Sequence, residues 1–458
     1  MAIATVNPTT GTVEREFDAH SDAEIDSRIA QSAQAYRALA DTDFDTRARW
    51  MHAAADLLDA DVDALSEIIT REMGKPIAQA KAEVHKSAKA MRFYADNAAR
   101  FLAPHRLEDP SAVGASSAYT TYQPIGVVLA VMPWNYPIWQ VIRFAAPALM
   151  AGNTGLLKHA SNVPQSALYL DTLFERGGFP EGSFRALLIP AGKVEGVLRD
   201  RRVVAATLTG SEPAGRSVAA IAGSEVKPVV LELGGSDPFI VMPSADLDAA
   251  VSTAVTSRTS NNGQACINAK RFIVHDEVYD AFVEKFTAAM GALRVGDPTD
   301  SSTDIGPLAT SSGRDDLAEL VQDALDNGAT ATLGGAAPDG AGWFYPPTVL
   351  TGVEPNMRLY AEEAFGPVAT VYRATDATDA LRIANDTTFG LSSAVWTTDE
   401  ADEALFVDGL EAGAVFINGM SISYAELPFG GVKDSGVGRE LSAEGIREFC
   451  NLKSVWKG

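Results

Sequence analysis

From Ile125 onward the chain runs as short apolar segments bounded by Gly and Pro and separated by stretches long enough for a helix: Ile125 to Met132, Thr154 to Leu157, Ala186 to Pro190, Val203 to Leu208 and Val229 to Leu233. A segment apolar at nearly every position has no side to turn to water, which is the pattern of a parallel strand covered on both faces. The spacing fits βαβ units and predicts a doubly wound α/β domain. Periodicity alone leaves buried helical segments open as an alternative for runs this short. After Gly234-Gly235 the pattern resumes at Pro238 to Met242, Arg271 to His275, Val368 to Tyr372, Ser393 to Thr397 and Ala414 to Ile417, which predicts a second α/β domain.

The flanking regions read differently. From about Ser21 to Phe101 apolar residues recur at helical spacing, through Leu57, Leu58, Leu65, Ile68 and Ile69, with one break at Gly74-Lys75-Pro76. Ser116 to Gln123 alternates small polar and aromatic residues like an exposed strand, and Glu448 to Trp456 is again strand-like, so the two are expected to pair near Tyr119 as an oligomerisation arm. The expected division is a cofactor-binding domain from 1–105 and 125–232, a catalytic domain from 233–440, and the arm from 106–124 and 441–458.

With 458 residues the chain exceeds one ordinary hydrophobic core, and its 60 acids against 37 Lys and Arg, net −23, oppose affinity for nucleic acid or an anionic membrane. An anionic ligand therefore needs a local basic site. The opening residues lack a secretory pattern and no run approaches the ~18 apolar residues of a membrane span, so a cytoplasmic location is expected. The two cysteines, Cys266 and Cys450, and the six histidines show no disulfide framework and no metal-ligand spacing.

Open α/β sheets bind ligands beyond the carboxyl ends of their strands. Those ends carry Pro133-Trp134-Asn135-Tyr136-Pro137, Lys158-His159-Ala160-Ser161, Thr209-Gly210-Ser211 and Glu232-Leu233-Gly234-Gly235. Each alone fits a plain structural role: a turn asparagine, a solvated lysine, a helix N-cap, a surface acid. Cys266 sits in the small, polar run Asn261-Asn262-Gly263-Gln264-Ala265, which suits an accessible thiol as well as a packed one.

Taken together, Met132-Pro133-Trp134-Asn135-Tyr136-Pro137, Leu231-Glu232-Leu233-Gly234-Gly235, Gly263-Gln264-Ala265-Cys266, Glu362-Glu363-Ala364-Phe365-Gly366-Pro367-Val368 and Pro428-Phe429-Gly430-Gly431-Val432-Lys433 resemble, in order and spacing, the NAD(P)-dependent aldehyde dehydrogenase superfamily. The resemblance covers essentially the whole chain. It implies that Cys266 is the nucleophile, that Asn135 and the Cys266 N–H form the oxyanion hole, and that Glu232 is the general base for thioester hydrolysis. Losing one oxyanion donor typically costs ~3 kcal/mol. It further implies cofactor contacts at Pro133 and Trp134, a pyrophosphate near the helix starting at Gly210-Ser211, Glu363 on a ribose with Phe365 beside it, and Lys158 on the adenosine ribose. NAD-preferring members carry a glutamate three positions after that lysine; Ser161 stands there, so NADP is expected to be preferred over NAD.

Arg143, eight residues after Asn135, is ~11 Å along a helix and sits among apolar neighbours where a charge needs a partner. Its position resembles the substrate-carboxylate arginine of succinate-semialdehyde dehydrogenases, and Ile417-Asn418-Gly419-Met420 with Gly438-Arg439-Glu440-Leu441-Ser442 looks most like the shorter bacterial members of that group. Many members place a second arginine six residues before the cysteine; Ser260 stands there, with Arg258 two positions further back. Asn268 replaces the second thiol that some members use as a redox switch. Ser421 and Ser423 are further candidate donors to a substrate carboxylate. The expectation is oxidation of succinic semialdehyde; a dehydrogenase of uncharged aliphatic or aromatic aldehydes is the alternative, favoured if Arg143 is paired internally. The resemblance also implies a homodimer or homotetramer.

Overall fold

The computed structural model describes residues 2–458. The N-terminal helices are Asp22–Ala40, Phe44–Ala60, Val62–Met73 and Ile77–Phe101, whose apolar faces bury Leu58, Ile69, Val84 and Met91. Gly74 ends the third of them in the left-handed region at φ 76, and a Cβ there would lie 2.5 Å from Pro307 O, so only glycine fits. None of these helices, nor any other among the described residues, is long and apolar enough to cross a membrane.

The first sheet runs in the order Gly436–Val437, Val229–Glu232, Val203–Thr209, Val127–Met132, Thr154–His159, Phe184–Ala186. The last five are parallel and the two-residue edge strand is antiparallel. In chain order the second and third strands lie on one side of the first and the fourth and fifth on the other. The sheet therefore reverses direction between Val127–Met132 and Val203–Thr209, which opens a crevice where Pro133 to Asn135 and Gly210-Ser211 emerge.

The second sheet runs Thr330–Leu333, Thr348–Thr351, Val368–Ala374, Ala269–His275, Asp237–Val241, Ser393–Trp396, Val415–Ile417, parallel except at its first edge. Phe239, Phe272, Phe282 and Phe286 fill one of its faces. The arm is a three-stranded ribbon in which Ser117–Pro124 pairs antiparallel with Cys450–Lys457, Tyr119 opposite Val455, and with His105–Arg106. Leu452 and Trp456 are more than half exposed on it.

The α/β architecture is the one expected, with local differences. The third apolar run forms its strand earlier, at Phe184–Ala186, because Leu188 turns away to exchange hydrogen bonds with His20. Gly436–Val437, expected within the catalytic domain, joins the first sheet instead: a Cβ on Gly436 would lie 2.0 Å from Leu231 O, so glycine is what lets the edge close. The hairpin Ile3–Asn7 and Thr12–Phe17 and the edge strands near 330 and 348 have no counterpart in the sequence expectation.

Candidate active site

The helix Leu247–Thr259 runs into a short turn, Ser260–Gly263, where Asn261, Asn262 and Gly263 take φ of 58, 58 and 76. Asparagine tolerates this left-handed backbone, and here each side chain is also tied down. Asn261 Nδ2 donates to Asn135 O at 2.8 Å and Gln264 O at 3.0 Å, while Asn262 Nδ2 donates to Gly74 O at 2.9 Å and Pro307 O at 3.0 Å. Arg258 is fully buried, with Nη1 donating to Ala269 O at 2.9 Å and Nη2 to Gly263 O. Arg258 thus braces the loop from inside, and the expectation that it binds substrate is corrected: its guanidinium is turned onto backbone carbonyls.

This loop presents Cys266 to a cavity of about 300 Å³ that is also lined by Pro133, Trp134, Asn135, Gly210, Ser211, Glu363 and Phe365. Asn135 Nδ2 donates one hydrogen to Gln264 O at 3.1 Å, and Asn135 Oδ1 accepts from Tyr136 N–H at 3.1 Å. The amide is thereby oriented, and among the described residues one Nδ2 hydrogen is unused and the Cys266 N–H has no acceptor. Burial pushes the Cys266 thiol up to about 12; Arg143 and Lys270 pull it down, Glu363 and Asp237 push it further up.

Lys270, which sequence reasoning missed, donates to Ala265 O at 2.9 Å and Cys266 O at 2.6 Å and pairs with Glu363 at 2.8 Å. One ammonium thus ties the Cys266 backbone to the acid expected on the ribose. No spacing in the sequence marks it.

Glu232 closes its strand but does not line the cavity. It is 1 % exposed, neither oxygen accepts a hydrogen bond among the described residues, and a Cβ on Gly430 would lie 2.8 Å from Oε1. Burial holds its carboxyl well above the usual carboxylate range, the negative Glu440 adds to this, and Arg143 and Arg439 oppose it. To serve at Cys266 it must swing about the Gly234-Gly235 side of its strand.

Arg143 also points away from the role expected of it. It is 2 % exposed, its Nε pairs with Glu440, its Nη2 donates to Thr209 Oγ1 at 3.3 Å, and its guanidinium lies 4.6 Å from the Phe429 ring centre. Glu440 is held there by reciprocal backbone hydrogen bonds with Phe429, both 2.7 Å. The charge of Arg143 is therefore matched within the protein. Ser421 and Ser423 line a second cavity together with Phe429 and Ile267, the residue after Cys266; Ser421 shares a hydrogen bond with Ser392 at 2.7 Å.

On the other side of the crevice, Lys158 is 9 % exposed at the end of its strand, and among the described residues no carboxylate comes within 4.0 Å of its ammonium. Burial alone lowers its pKa from the ordinary lysine value. Ser161 lies just beyond it, and the buried Asn162 Nδ2 has no acceptor. The helix Glu212–Ser224 starts at Ser211, whose side chain does not cap it, so its first N–H groups remain open to a ligand. Trp134 and Phe365 meet edge to face at 5.7 Å across the mouth of the cavity. An uncompensated cation, open helix N–H groups and a carboxylate held by Lys270 fit a nicotinamide dinucleotide.

The chain is similar to known proteins over its whole length. A succinate-semialdehyde dehydrogenase [NADP(+)] 1 of Mycobacterium tuberculosis is 62 % identical over 456 residues, covering all of both chains, and the corresponding Mycobacterium ulcerans protein is 63 % identical over 461 residues, again covering all of both. The crystal structure of succinic semialdehyde dehydrogenase from Streptococcus pyogenes in complex with NADP+ superposes with a TM-score of 0.96 at 37 % identity over 99 % of each chain. The model of the aldehyde dehydrogenase family matches residues 1–455, and the chain belongs to that family.

Proposed function

We propose that this protein oxidises succinic semialdehyde to succinate with NADP. The observation that carries the reading is the shared cavity: Cys266 stands beside two donors left unused among the described residues, its own N–H and one Nδ2 hydrogen of Asn135, and the same cavity is lined by Gly210 and Ser211 at the open start of the helix Glu212–Ser224. Full-length identity of 62 % to NADP-dependent succinate-semialdehyde dehydrogenases supports the choice of substrate and cofactor.

Cys266, once deprotonated, attacks the aldehyde carbon to give a thiohemiacetal, and the oxygen's growing charge is met by the two free donors. A dinucleotide held in this crevice would supply the hydride acceptor for that carbon. The thioester left on Cys266 keeps its carbonyl oxygen in the same donor pair. Glu232, swung inward as a carboxylate, removes a proton from the water that releases the acid. Lys158 and Ser161 supply a charge and a hydroxyl for a 2′-phosphate, and no acid stands there to repel it, so NADP is preferred and NAD is the weaker cofactor. Glu363, Phe365, Pro133, Trp134, Gly210 and Ser211 would hold the rest of the dinucleotide. The enzyme works in the cytoplasm as a homodimer or homotetramer, assembled through the arm that exposes Leu452 and Trp456.

The Arg143–Glu440 pairing favours a second reading, a dehydrogenase of uncharged aldehydes. Mixing the protein with NADP and either succinic semialdehyde or butanal, and following the reduced-nicotinamide absorbance, separates them: faster turnover of succinic semialdehyde is expected, and equal or faster turnover of butanal selects the second reading. No absorbance change with any aldehyde overturns both.

A further inference from the structure

With Arg143 neutralised and Arg258 turned inward, a carboxylated aldehyde needs another cation, and the helix Ile77–Phe101 carries one. The half-buried Lys86 stands behind Ser423, a lining residue of the second cavity: its Nζ donates to Ser423 Oγ at 2.9 Å and lies 4.3 Å from the Trp139 ring centre. No carboxylate among the described residues lies within 4.0 Å of that ammonium. The nearby acid on the same helix, Glu83, is already used: Oε2 pairs with Lys75, and Oε1 accepts from the N–H groups of Ile138 and Trp139 at 2.8 and 3.0 Å. Burial, with Arg143 and Lys75 adding to it and Glu83 opposing, lowers the Lys86 pKa to about 7.

Ser423 shows the same lack. Its oxygen accepts twice, from Lys86 Nζ and from Trp139 Nε1 at 3.1 Å, so the hydroxyl's own hydrogen is left to donate, and no acceptor for it exists among the described residues. Ser423 lines the cavity that contains Ile267, next to the nucleophile. An ammonium with spare hydrogens and a hydroxyl forced to donate form a matched pair of donors with nothing to receive them. A carboxylate satisfies both at once.

Resting on the reading of the substrate given above, we infer that Lys86, with the Ser423 hydroxyl, is the site that receives the distal carboxylate of the aldehyde. Lys86 is then a specificity-determining residue that acts in place of an arginine near the cysteine, and it touches substrate without taking part in the chemistry at Cys266.

The test compares kcat/KM for succinic semialdehyde and for butanal, with saturating NADP, in the wild type, Lys86→Gln and Lys86→Arg. A charge-assisted contact of this kind predicts that Lys86→Gln lowers the ratio of the two about 30-fold, mainly through KM, while butanal turnover stays within about twofold and certifies the fold. Lys86→Arg, which keeps the charge, is expected to stay within about fivefold of the wild-type ratio. A wild type that prefers succinic semialdehyde, with a ratio unchanged in Lys86→Gln or lost equally on both aldehydes, overturns the role of Lys86 and leaves the substrate reading standing. A wild type with no preference overturns the substrate reading and Lys86's role with it.

Discussion

Buried cations in the scaffold and buried cations at the rim of the crevice are treated in opposite ways. In the scaffold, Lys75 is fully buried against Glu83 and the Tyr136 ring, Arg258 donates to two backbone carbonyls, and Arg143 is paired with Glu440. At the rim, no carboxylate among the described residues comes within 4.0 Å of the Lys158 or Lys86 ammonium. A buried charge is tolerated where partners offset its desolvation. The contrast teaches where the ligands' own charges would belong: the satisfied cations build the site, and on the function proposed above the two unsatisfied ones would face the 2′-phosphate and the substrate carboxylate.

The largest effect is expected in the scaffold. Lys75→Met leaves Glu83 buried without its counter-ion while it still caps the helix Trp139–Ala151, and should lower unfolding free energy by about 3 to 5 kcal/mol in a denaturant titration. A loss below about 1 kcal/mol would place Lys75 among the rim cations instead. At the rim, Ser161→Glu puts an acid beside Lys158 and should lower the NADP-to-NAD ratio of kcat/KM about 50-fold, with stability nearly unchanged. An unaltered ratio would break the assignment of Lys158 to a 2′-phosphate.

Arg143→Ala sharpens the boundary between the two groups. Because its guanidinium is matched by Glu440, the substitution should lower kcat/KM for succinic semialdehyde and butanal by a similar factor, about tenfold, through the Glu440 charge left beside Glu232. A selective rise in KM for succinic semialdehyde alone would return Arg143 to the substrate. The smallest effect concerns pH. Glu232 must lose a proton to act as a base and its carboxyl is held well above the usual range, so the acid limb of kcat should rise with pH at a midpoint above that of an ordinary carboxylate. Glu440→Gln removes a negative neighbour and frees Arg143 to act on Glu232. Both changes favour the ionised form, so the midpoint should move to lower pH, by less than about one unit. Movement to higher pH would contradict the arrangement.

Much of this was legible in the sequence because parallel strands buried on both faces write themselves as apolar runs, and because the residues just past them are the ones a doubly wound sheet turns toward its ligand. Val127–Met132 and Val203–Thr209, with Asn135 and Ser211 behind them, fall where the runs placed them. The arm pairing near Tyr119 was readable from alternation. What stayed hidden are properties of pairs distant in the chain. Nothing local separates Lys86 from the exposed Lys81 and Lys89 on the same helix; only the fold reveals that Ser423, 337 positions away, is its partner. Arg143 looked like a ligand because a charge among apolar residues needs a partner, and it has one, but that partner is Glu440, brought alongside by the bridge to Phe429. Gly436–Val437 was hidden because two residues at a sheet edge carry no period.

The central claim, that the unmatched cations mark the anions of the ligands, is tested most directly at Lys158. The measurement is the wild-type kcat/KM for NADP against NAD with succinic semialdehyde held saturating. A ratio of about 10 or more in favour of NADP is predicted from one charge-assisted contact to the 2′-phosphate; a ratio at or below one would contradict it.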